Sequence, residues 1–70
     1  MKLKKKLPFK KLELTEELNS TFKKGQIGAV LEIIDSKTVF AEFYDQHNNL
    51  IEHNGKLVFK IGLHQFEIKK

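Results

Sequence analysis

Gln26-Ile27-Gly28-Ala29-Val30-Leu31-Glu32-Ile33-Ile34 is the stretch whose reading decides the fold. It is rich in β-branched residues and lies between two turn-forming segments, Lys24-Gly25 and Asp35-Ser36-Lys37, so it predicts a strand. Alternation puts Ile27, Ala29, Leu31 and Ile33 on one face and Gly28, Val30, Glu32 and Ile34 on the other. Neither face is cleanly polar, a pattern that belongs to central or strongly bent strands.

Downstream, Thr38 to Tyr44 reads as a partner strand, with Val39, Ala41 and Phe43 on one side and Phe40, Glu42 and Tyr44 on the other. One of these sets must face outward. Asp45-Gln46-His47-Asn48-Asn49 is a cluster of turn formers that leads into a predicted strand over Leu50-Ile51-Glu52-His53. Asn54-Gly55 follows, and both residues tolerate positive φ, which suits a type I′ hairpin turn. Lys56 to Ile61 predicts the next strand, with Leu57, Phe59 and Ile61 together and Val58 opposite. Gly62-Leu63-His64-Gln65 reads as a tight turn before a closing strand over Phe66 to Lys69.

Upstream, Lys10 to Leu14 alternates and puts Leu12 and Leu14 on one face of a short first strand. Thr15 could cap a helix over Glu16-Glu17-Leu18, but Asn19-Ser20 would end it within a turn, so this segment reads as loop. Five or six short antiparallel strands with no long amphipathic helix predict an all-β domain, a small barrel whose closure would remove unpaired edges.

The chain has 70 residues, enough for one domain, and a core of that size buries only about 60% of the unfolded surface. No cysteine is present, so disulfides, thiolate zinc sites and thiol nucleophiles are excluded. The +4 net charge is unevenly distributed: Lys2, Lys4, Lys5, Lys6, Lys10 and Lys11 precede the first acidic residue, Glu13. From Leu12 onward seven lysines face nine acidic residues, which leaves the body mildly acidic. The organisation expected is a basic flexible tail over 1–10 and the barrel over 11–70. The basic start is followed by no apolar segment of signal-peptide or membrane-span length, which reads as a cytoplasmic protein without membrane contact.

All 13 basic residues are lysine, and the arginine fork that reads base edges is absent, which argues against sequence-specific nucleic-acid recognition. Lys2, Lys4, Lys5 and Lys6 could still hold RNA or another polyanion weakly and salt-dependently; the plainer reading is a solubilising arm. His47, His53 and His64, even with Asp45 or Glu52, match no standard zinc spacing, so no metal and no cofactor is expected. Ser20, Ser36 and the threonines lie in no nucleophile motif, so catalysis is not expected either. The candidate site is a protein-binding face of Phe40, Glu42 and Tyr44, since exposed aromatics give contact area at low entropic cost. Its alternative is that strand curvature buries Phe40 in a second small core.

Lys24 to Glu32, preceded by Leu12-Glu13-Leu14-Thr15-Glu16-Glu17-Leu18 and followed by Ala41-Glu42-Phe43-Tyr44-Asp45, resembles a small bacterial family known only as a domain of unknown function. The resemblance covers roughly Lys11 to Ile68 and implies an SH3-like barrel, with Leu63-His64-Gln65-Phe66 similar to the tight turn and final strand. Members of that family are often encoded beside candidate toxins, which implies an immunity or antitoxin role with a toxin as the protein partner. Gly25-x-x-Gly28-x-Val30 is also similar to the KOW motif of ribosome- and transcription-associated proteins, which implies an RNA-associated module as the alternative. Physically, Gly25 and Gly28 serve a turn and a close backbone packing, which is a structural need of small barrels. Oligomeric state is left open by the sequence.

Overall fold

The computed structural model describes residues 10–69, so the expected tail over 1–10 falls almost wholly outside the described residues. The chain is all-β: β1 (Lys11–Leu14), β2 (Ile27–Ile33), β3 (Thr38–Phe43), β4 (Phe59–Gly62), a 3₁₀ turn (Leu63–Gln65) and β5 (Phe66–Ile68). All pairings are antiparallel, and the strands form one sheet in the order β4-β3-β2-β1-β5. β2 is central. Its first half, Ile27 to Ala29, pairs with β1, and its ladder with β3 runs from Gly28 to Ile33. Hydrogen bonding leaves β4 and β5 as the two edges.

The core lies on one face of this sheet. Leu12 and Leu14 from β1, Val30 from β2, Val39, Ala41 and Phe43 from β3, Ile61 from β4 and Phe66 from β5 are all buried. Both edge strands therefore feed one cluster, which requires the sheet to coil around it. At its centre Phe22, Phe43 and Phe59 stack in tilted and edge-on contacts, with centroids 4.3 Å (22–43), 5.0 Å (22–59) and 5.8 Å (43–59) apart. Such pairs contribute about 0.5–1.5 kcal/mol beyond area burial.

Phe22 comes from the loop between β1 and β2. Asn19 starts the turn that delivers it: its Oδ1 accepts from the N–H groups of Thr21 and Phe22, both at 2.9 Å, while Leu18 N–H donates to Phe22 O at 2.9 Å. The Thr15–Leu18 segment is irregular, as expected, and Thr15 N–H donates to Gln65 O at 2.8 Å, tying the loop to the 3₁₀ turn.

The simple alternation expected of Gln26–Ile34 does not hold along its length. Val30 pairs with Ala41, but Phe40, the next residue on β3, pairs with Glu32, so Leu31 is an extra residue in a β-bulge. Before the bulge Gly28 and Val30 face the core; after it Ile33 does, and Glu32 turns outward. Without the bulge, strict alternation would drive a carboxylate into the core, a costly burial.

Two other expectations are corrected. Leu50–His53 is not a strand but two isolated bridges, Tyr44↔Leu50 and His53↔Lys56: Ile51 N–H donates to Phe43 O at 2.9 Å, but the backbone groups of His53 are already taken up by the Asn54-Gly55 turn. The ladder with β3 starts at Phe59, not at Lys56, so Leu57 is 43% exposed and does not join Phe59 and Ile61. Asn54 and Gly55 have φ of 53° and 77°, and His53 and Lys56 exchange both backbone hydrogen bonds at 3.0 Å across them.

Asp45 shapes the turn after β3: its Oδ1 accepts from His47 N–H at 2.8 Å and Asn49 N–H at 3.0 Å. These backbone donors hold its carboxyl below the ordinary value of 3.8. The Asp35 carboxyl, which accepts from Lys37 N–H at 2.8 Å in the β2–β3 turn, is lowered for the same reason. A lowered folded value means stability that is present above the unfolded value, near pH 4, and is lost as pH falls through the folded one. Asp45→Asn keeps an acceptor but cannot titrate. The wild type is therefore expected to lose more of its urea midpoint than the variant between about pH 5 and pH 2; parallel pH profiles would rule out this role.

Candidate protein-binding face

The candidate face is built by alternation on β3. Val39, Ala41 and Phe43 are fully buried, so Phe40, Glu42 and Tyr44 project from the opposite side. Phe40 is 37% exposed, which excludes the second small core; Glu42 and Tyr44 are half-buried. Across the sheet Phe40 stands between Glu32 on β2 and Lys60 on β4, and Glu42 stands opposite Ala29.

The Tyr44 end is held firmly. Tyr44 N–H donates to Ile27 O at 3.1 Å, and the Gln26 side-chain amide donates to Tyr44 O at 2.7 Å and to Ile27 O at 3.0 Å. Two adjoining clefts, of about 390 and 410 Å³, share Ile27, Tyr44, Asp45 and Gln46, and the first extends over Ala29 to Lys11. Sequence reasoning missed Ile27 and Ala29 as part of this face. Their alternation with Gly28 and Val30 was the available signal, which the bulge beyond Val30 obscured.

Gly28 explains how closely β2 and β3 approach beneath Glu42. A methyl group there would lie 2.3 Å from the Glu42 carbonyl oxygen and 2.7 Å from the Phe43 ring. Gly25, with φ of 95°, forms the turn entering β2, and its N–H donates to Leu14 O at 2.8 Å. The other candidate residues, Lys2, Lys4, Lys5 and Lys6, lie outside the described residues.

Of the residues weighed for catalysis, the fold brings together Thr21 and His53, whose Oγ1 and Nδ1 share a hydrogen bond of 2.7 Å. The pair links the β1–β2 loop to the Asn54-Gly55 turn, with the imidazole 6.1 Å from the Phe22 ring and 6.4 Å from Phe59. Among the described residues no carboxylate hydrogen-bonds or pairs with His53 to orient it, and no group of three or more acidic or histidine side chains has metal-site geometry. The geometry found is that of a loop clasp.

The described part of the molecule is thus an all-β domain with a bulged central strand and a half-apolar outer face. No protein-family model, curated protein or solved structure matches the chain. Among the described residues no helix is long and apolar enough to cross a membrane.

Proposed function

We propose that the chain is a non-catalytic protein-interaction domain with an SH3-like barrel left open between its edge strands β4 and β5, which binds a basic protein partner through the outer face of β3. The barrel reading is supported by the strand order, by the 3₁₀ turn directly before the last strand, and by a core shared between both edge strands. The observation that carries the binding role is the division of β3, in which three residues are fully buried while Phe40, Glu42 and Tyr44 turn an aromatic and acidic stripe outward. An acidic surface steers and orients a basic partner, and half-exposed aromatics supply its anchors. An antitoxin-like role with a basic toxin is the form of this function that the sequence resemblance favours.

The test is capture from host lysate by the full chain and by Phe40→Ser/Tyr44→Ser, at low and at high salt. One protein should be retained by the wild type in high salt and lost by the variant, whose thermal unfolding should stay cooperative because neither side chain is in the core. Retention by the folded variant would dismiss this face. Recovery of RNA alone, at low salt and dependent on Lys2, Lys4, Lys5 and Lys6, would replace the reading with the electrostatic one.

A further inference from the structure

Glu32 on β2, Phe40 on β3 and Lys60 on β4 are register partners in a single row across three adjacent strands. All three are exposed, and they present a negative charge, an aromatic ring and a positive charge in that order. Strands lie about 4.8 Å apart, so the Cα atoms of the two charged residues stand about 10 Å from each other, with that of Phe40 between them. Among the described residues neither is in an ion pair: the pairs there are Lys23–Glu17 at 3.3 Å and Lys69–Glu13 at 3.0 Å. Lys60 only adds a weak field at Asp35. Exposed apolar side chains flank the row. Ile34, whose N–H donates to Thr38 O at 2.9 Å, is 37% exposed, and Val58, just before β4, is 45% exposed.

A row ordered minus, aromatic, plus is complementary to itself under one kind of rotation. If a second copy is turned by half a revolution about an axis running along β3, its Lys60 lies over Glu32 of the first copy, its Glu32 over Lys60, and its Phe40 against Phe40. An axis across the strands would instead stack Lys60 on Lys60 and Glu32 on Glu32. We propose that this face is closed by a second copy of the chain in a twofold dimer about β3, which a heterologous partner must displace. Displacement by a partner rests on the binding role proposed for this face; the dimer does not.

The area fits a weak dimer. The smallest specific interfaces bury roughly 600 Å² per copy, about an eighth of the 4986 Å² surface of the described residues, and an outer face of three short strands supplies little more. An interface at this lower size limit belongs with the weak, transient ones, which a partner can displace. Glu42 lies on the axis, where it opposes its own copy and limits affinity.

Sedimentation equilibrium of the full chain, up to about 0.5 mM, tests the geometry. The wild type should dimerise. Lys60→Glu alone and Glu32→Lys alone should each weaken self-association at least about tenfold, since each creates two like-charge contacts. An equimolar mixture of the two variants should recover a dimer, because positions 32 and 60 are then both acidic in one copy and both basic in the other. Glu42→Gln should tighten the wild-type dimer while weakening capture of a basic partner, which separates failure of the dimer from failure of the binding role. A wild type monomeric throughout, a single variant still dimeric, or a mixture that fails to associate would overturn the proposal.

Discussion

Phe22→Ala is expected to remove from about a third to nearly all of the domain's stability. Phe22 is fully buried, is among the largest side chains of the core, and touches both other rings of its aromatic centre. Truncating such a ring removes transfer energy and leaves a cavity, together costing about 3–5 kcal/mol. At roughly 0.05–0.15 kcal/mol per residue, a chain of 70 residues has about 3.5–10 kcal/mol in all, so one such loss takes a third or more of it. The loop cannot collapse to fill the gap, because the Asn19 turn fixes where residue 22 enters. Urea unfolding followed by far-ultraviolet circular dichroism measures the effect, with Phe40→Ala as the control. The exposed phenylalanine should cost well under half as much, and comparable midpoints for the two variants would mean that Phe22 is not the keystone of the core.

Gly28→Ala is expected to come second, and by a different route. The added methyl meets two obstacles at once, the Phe43 ring and the backbone oxygen of Glu42. A ring can shift at some cost in packing, but the carbonyl belongs to the β2–β3 ladder and can retreat only if the strands separate. Overpacking of flexible neighbours costs about 1–3 kcal/mol, and contact with backbone puts this substitution at the top of that range or beyond it. Phe43→Leu should therefore rescue Gly28→Ala only in part. Full rescue in a double-mutant cycle would show that the ring alone imposes glycine at this position.

Much of the strand architecture was legible because it rests on local chemistry. The alternation of Leu12 with Leu14, and of Val39, Ala41 and Phe43 with Phe40, Glu42 and Tyr44, reflects one face buried and one facing water, and the sheet keeps both divisions. The Asn54-Gly55 turn is dictated by two residues that accept positive φ. What escaped was non-local. Phe22 sits in a stretch with no periodicity and becomes core only because the loop folds back over β3 and β4. The β2 bulge has no signature in the apolar pattern beyond the apparent two-sidedness of Gln26–Ile34, since an extra residue and a doubly buried strand look alike. Leu50–His53 was apolar enough to suggest a strand, but its neighbours in space were set by the turns at Asp45 and Asn54. The binding face follows the same division: its β3 stripe was readable from alternation, whereas Glu32 and Lys60 join it only through register across three strands.

The side chain of Gln65 has a wider bearing. From the turn after β4 its Oε1 accepts the Gly62 N–H at 2.9 Å, and its amide reaches Glu16 at 3.4 Å. Gly62 closes an edge strand of only four residues, and the opposite edge, β5, has three, with a charged residue at its middle. A donor already occupied, two very short rims and the charges of Lys60 and Glu67 leave an arriving strand little to template on. The sheet can thus stay open at both sides without offering a seed for fibril growth.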